Sequence, residues 1–131
     1  MLRDVVKKYT ADWNTGAPHM YNCAEVMLRS VNEYYDLKLS DRELRMATGF
    51  GGGMAVKSVC GILTGSVMGF STAFANHSAP HKNEILASKS SELMTRFEKR
   101  YGSVICDDIK DLGCIDMMLE TADMIEEIWG I

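Results

Sequence analysis

Val59-Cys60-Gly61-Ile62-Leu63-Thr64-Gly65-Ser66-Val67-Met68-Gly69-Phe70-Ser71-Thr72-Ala73-Phe74-Ala75 contains no charged residue. The run falls short of the roughly 20 apolar residues that span a bilayer, and Thr64, Ser66, Ser71 and Thr72 interrupt it, so it reads as a buried core helix. Gly61, Gly65, Gly69 and Ala73 recur every fourth residue and leave one helix face without side chains. Each glycine costs a helix interior about 1 kcal/mol relative to alanine, so close approach of another helix, more than helix propensity, explains the stripe. Internal packing is the first reading, and a seam between two copies the second. Preceded by Gly49-Phe50-Gly51-Gly52-Gly53, the helix is expected from about Gly53 to Asn76.

Outward from this element the periodicity stays helical. Leu2, Val5, Val6, Tyr9 and Trp13 form a first stripe, ended by Asn14-Thr15-Gly16-Ala17-Pro18. Asn22 is a good cap for a second helix running to about Asp36. Ser40 and Glu43 have capping-box spacing, which predicts a short helix over Asp41 to Thr48. After Pro80, a polar helix from about His81 to Tyr101 ends at Gly102. Ser103 suits the cap of a short helix through Cys106 to Leu112, Gly113 stops it, and Ile115, Met118, Ala122, Ile125 and Trp129 line the last helix. The expected fold is all-α: a single domain over residues 1–131, a compact bundle of about five to six helices around the glycine-rich one.

With 47% hydrophobic and 24% charged residues, the composition is that of an ordinary globule. A net charge of −4 and scattered basic residues provide no footprint for nucleic acid. The first residues alternate charged and apolar side chains, unlike an export signal, so the expected compartment is the cytoplasm. Thiols stay reduced there, and dispersed cysteines serve as metal ligands, redox groups or core filler.

The chain has four cysteines: Cys23, Cys60, Cys106 and Cys114. No Cys-x-x-Cys clip joins them. Cys23, Cys106 and Cys114 fall at expected helix starts, where backbone N–H groups and the helix dipole favour an anionic sulfur. Cys60 is expected deeper in its helix, with Lys57 one turn earlier as a source of positive charge. Eight residues of continuous helix would separate Cys106 from Cys114 by about 12 Å, so a reversal at Gly113 is needed to bring them together. Against these readings stands the plain one, in which cysteine is a small buried hydrophobe.

Other constellations fail on spacing. Gly49 to Gly53 match neither the dinucleotide fingerprint nor the Walker loop, which leaves a tight turn as the favoured reading. His19, His77 and His81 lack a haem-attachment context, and the loop containing Pro80 makes a solvated pair of His77 and His81. The ten methionines sit mostly at core spacing.

Asn22-Cys23-Ala24, Gly49 to Gly53, Cys60-Gly61-Ile62-Leu63-Thr64-Gly65, and Phe97 through Tyr101-Gly102 to Cys106 and Cys114 together resemble a family of redox-active proteins. That family is named for four cysteines and a Cys-Gly-Ala-x-x-Gly motif. The resemblance implies that Cys23, Cys60, Cys106 and Cys114 act together, and it links the chain to iron-sulfur and haem-bearing electron-transfer proteins. Ile62 stands where that motif has alanine, implying a narrower or drier site. The expectation is therefore an oxidoreductase or electron-transfer protein with a redox partner, in one of two chemistries. The four sulfurs bind an iron-sulfur cluster or another metal, or Cys60 attacks as a thiol with Cys23 as its exchange partner. The alternative is a non-catalytic module that holds zinc, or that pairs through its glycine face, including as a homodimer.

Overall fold

The computed structural model describes residues 1–75 and 83–130. His77, Pro80 and His81, together with the expected end of the central helix at Asn76, lie outside them. The elements in order are α1 (Leu2–Tyr9), α2 (Cys23–Tyr35), α3 (Asp41–Leu44), α4 (Gly61–Phe74), α5 (Glu84–Tyr101), α6 (Cys106–Ile109) and α7 (Cys114–Trp129). Single 3₁₀ stretches, Arg45–Phe50 and Lys110–Leu112, extend α3 and α6. Among the described residues the fold is all-α, with seven helices against the five to six expected, because the one-turn α3 and α6 count separately. The only extended pairing among them is an isolated antiparallel bridge, Val59 with Ile105.

Local signals place the helix starts. Asn22 and Ser40 each accept from the N–H three residues on, while Glu25 and Glu43 reach back to the cap N–H groups, so both helices open with a full capping box. α1 stops at Tyr9, short of the stripe that ran to Trp13; Thr10 turns its hydroxyl back onto the Val6 carbonyl there. α7 ends under Lys89, whose buried ammonium donates to the carbonyls of Ile128 and Trp129 and meets the negative end of the helix.

α4 lies in the middle of the bundle, against α2, α5 and α7, while α1 fills the gap between α2 and α7. The glycine stripe faces α2. A Cβ on Gly65 would lie 2.2 Å from the Ala24 carbonyl oxygen, and one on Gly69 would lie 2.7 Å from Val31 Cγ1. The stripe is thus an internal helix–helix contact. Around it Val26, Met27, Leu63, Phe70, Phe97, Met118 and Ile125 are fully buried and form the core.

The central helix begins later than its composition suggests. Gly52, Gly53, Met54, Ala55 and Lys57 all have positive φ, and the Ser58 N–H closes this left-handed turn on the Gly53 carbonyl. A right-handed helix cannot run through such a segment. α4 therefore starts at Gly61, with Cys60 as its N-cap residue.

Candidate redox centre

Each cysteine sits at a helix start. Cys23, Cys106 and Cys114 are the first residues of α2, α6 and α7, and Cys60 caps α4. Placing Cys60 deep in its helix is corrected by the left-handed turn before it. Lys57 is not its charge partner either: that side chain is exposed and lies beside Asp107 and Lys110.

Two main-chain hydrogen bonds bring the middle cysteines together. The Cys60 N–H donates to the Val104 carbonyl at 2.8 Å, and the Cys106 N–H donates to the Ser58 carbonyl at 2.6 Å, on either side of the Val59–Ile105 bridge. A β-branched residue immediately precedes each of these cysteines, which suits an extended pairing and was the available sequence signal. Ser103 contributes without capping α6. Its hydroxyl accepts from the Ile105 N–H and donates to Asp108, fixing the strand-like entry. Asp107 is exposed and paired with Lys110, so neither acid beside Cys106 is buried against the thiols.

Cys23 is positioned from the opposite side by the motif glycine. A Cβ on Gly61 would lie 2.6 Å from Cys23 Sγ and 3.1 Å from the Phe50 carbonyl oxygen, so the sulfur occupies the space a side chain there would take. Gly51 plays the same part for Asn22, whose amide also donates to the Thr48 carbonyl. The glycine cluster therefore packs the loop over the start of α2, as the tight-turn reading expects. Gly113, with φ +98°, makes the reversal between α6 and α7.

The four thiols share one electrostatic environment. Burial pushes the Cys23, Cys60 and Cys114 thiols up, Cys60 to about 12. Neighbouring sulfurs add to the shift: Cys106 at Cys23; Cys23, Cys106 and Cys114 at Cys60; Cys23 and Cys106 at Cys114. Backbone N–H groups of Gly52 and Ala24 pull Cys23 the other way, and that of Ile62 does so at Cys60. Cys60 is 4% exposed, whereas the other three are half-buried, so reagents reach the group from the Cys23, Cys106 and Cys114 side. All four are free thiols, and among the described residues no three His, Cys, Asp or Glu side chains are arranged to hold a metal ion.

The fold and this site define an all-α protein with four thiols gathered at helix starts. Over residues 21–128 the chain matches the family described as "Putative redox-active protein (C_GCAxxG_C_C)", and it belongs to that family. The label spells its central motif Gly-Cys-Ala-x-x-Gly, which no stretch here reproduces letter for letter. Around Cys60 the chain reads Val59-Cys60-Gly61-Ile62-Leu63-Thr64-Gly65. No curated protein and no solved structure matches the chain. No helix among the described residues is long and apolar enough to cross a membrane.

Proposed function

We propose that Cys23, Cys60, Cys106 and Cys114 act as one sulfur-based redox centre that exchanges electrons with a partner. The observation that supports this most is their proximity: burial raises the Cys60 thiol, and the sulfurs of Cys23, Cys106 and Cys114 are all near enough to add to that rise. The raised thiols of Cys23, Cys60 and Cys114 are poor nucleophiles at neutral pH, Cys60 above all, because attack requires the thiolate. A soft cation relieves the repulsion by replacing protons, and helix starts stabilise the sulfur charge that remains. The donor set thus fits an iron-sulfur cluster or another soft metal in its chemistry, and of these the cluster would supply electron transfer when bound. Its geometry is open as described, and the sulfurs must draw inward to reach bonds of about 2.3 Å to a metal such as zinc.

A second reading is thiol–disulfide exchange in which Cys23 and Cys60 form the pair, supported by the Cys23 sulfur lying near enough to add to the rise of the Cys60 thiol. There, two thiols give up two protons and two electrons to a disulfide-bearing partner and become a disulfide. The non-catalytic alternative is zinc held by the same sulfurs. Anaerobic purification with assay of iron, sulfide and zinc, visible absorption and thiol titration separates the three. Iron and sulfide with charge-transfer absorption support the cluster; colourless zinc protein supports the structural module. Metal-free protein whose thiols oxidise reversibly in a pair supports exchange. Unaltered metal content and thiol reactivity in Cys23→Ser and Cys60→Ser would sink the redox centre.

A further inference from the structure

A cavity of about 610 Å³ lies along α4, beside its glycine stripe. Its walls come from α2 (Leu28), the 3₁₀ stretch (Phe50), α4 (Leu63, Val67, Met68) and α5 (Met94). That volume falls in the roughly 300–1,000 Å³ range of small-molecule sites. Three of the polar side chains of the wall are committed to nearby backbone groups. Thr64 and Thr72 donate to the Gly61 and Met68 carbonyls of their own helix, and Glu43 accepts from the Ser40 N–H. Ser90 Oγ is buried within the wall without a hydrogen-bond partner, one hydroxyl that a ligand could meet. Apart from Ser71 and the exposed Glu43 carboxylate, the rest of the lining is carbon and thioether sulfur. Met46, Met68 and Met94 line the cavity, and methionine adapts to irregular apolar shapes.

We infer that this cavity binds an uncharged, predominantly hydrocarbon small molecule. An ion or a strongly polar ligand would lose hydration here and find only the Ser71 and Ser90 hydroxyls in return. The cavity also adjoins the thiol site through the backbone: Val59, on its wall, is the bridge residue beside Cys60, and the Phe50 carbonyl faces the Gly61–Cys23 contact. A bound molecule would therefore pack on the segment that leads into Cys60.

The test is fluorescence titration of the full, reduced chain with the neutral fluorophore N-phenyl-1-naphthylamine, alongside gel filtration at the same concentrations. Saturable binding of one molecule per chain is expected, at least about tenfold weaker in Val67→Trp, which fills the middle of the cavity. Thr72→Trp, at an exposed position on the rim, gives the same comparison if the first variant fails to fold. Absence of saturable binding to the wild type, or equal binding by a folded filled variant, overturns the inference. So does a wild-type dimer that excludes the fluorophore and dissociates in the filled variants, because the cavity would then be occupied by a second copy. The titration reads neither metal nor electron transfer, so its failure leaves the sulfur centre standing.

Discussion

Gly61→Ala and Gly65→Ala remove the same kind of space from one helix face and should fail differently. In Gly61→Ala the new methyl would meet Cys23 Sγ at 2.6 Å, with the Phe50 and Ala24 backbone at 3.1 and 3.3 Å. The nearest obstacle is a thiol at the end of a short side chain, so the sulfur can rotate away. The overpacking cost is of order 1–3 kcal/mol, offset by up to about 1 kcal/mol of helix propensity. A net loss of about 1 kcal/mol lowers Tm by about 3 to 6 °C at this size. The larger effect falls on the site, because the displaced sulfur is Cys23. In Gly65→Ala the methyl would meet the Ala24 carbonyl oxygen at 2.2 Å, backbone against helix, and neither can yield without separating α2 from α4. That loss should be at least about 3 kcal/mol. Urea denaturation gives the stabilities, and alkylation mapped by mass spectrometry gives the Cys23 rate. Unchanged Cys23 reactivity in Gly61→Ala, or a Gly65→Ala protein as stable as wild type, would refute the packing argument.

Asn22→Ala removes the side-chain half of the α2 capping box and the bond to the Thr48 carbonyl, leaving the residue-22 N–H on Glu25; a loss of about 1–2 kcal/mol is expected in urea. Ala55→Gly relieves a left-handed backbone at an exposed position and should raise stability by about 1 kcal/mol, measured the same way. The pH dependence follows from the raised thiols. Below about 8.5 the sulfurs are protonated in both folded and unfolded chains, and their contribution is fully present. Above it the unfolded chain ionises first, so the metal-free reduced protein should lose stability from about pH 8.5 toward the Cys60 value of about 12. Cys60→Ser should flatten that decline in melts recorded across this range; an equally steep decline would remove Cys60 from the argument.

Much of this fold was legible because its signals are local. Ser40 and Glu43 share one turn, Asn22 sits directly before its helix, and the glycine stripe shows its period within the neutral run. The start of α4 was not legible in the same way. Met54, Ala55 and Lys57 are ordinary helix formers by type, and only the fold holds them at positive φ, so an uncharged run looked like one long helix. That error hid the most useful fact about Cys60, its position at a helix start. The meeting of Cys60 with Cys106 was hidden for another reason, since it depends on a two-residue pairing between segments remote in sequence, too short to produce alternation.

The Val59–Ile105 pairing also has a kinetic meaning. Its two hydrogen bonds run between main-chain groups, so serine at position 60 or 106 keeps them, and such variants report on sulfur chemistry with the latch intact. A latch of two bonds can open while the helices around Phe70 and Phe97 remain packed. Entry of reagents to the most buried thiol is then governed by that small opening instead of by global unfolding, and the Cys60 and Cys106 amides should exchange hydrogen together, ahead of the amides in the middle of α4.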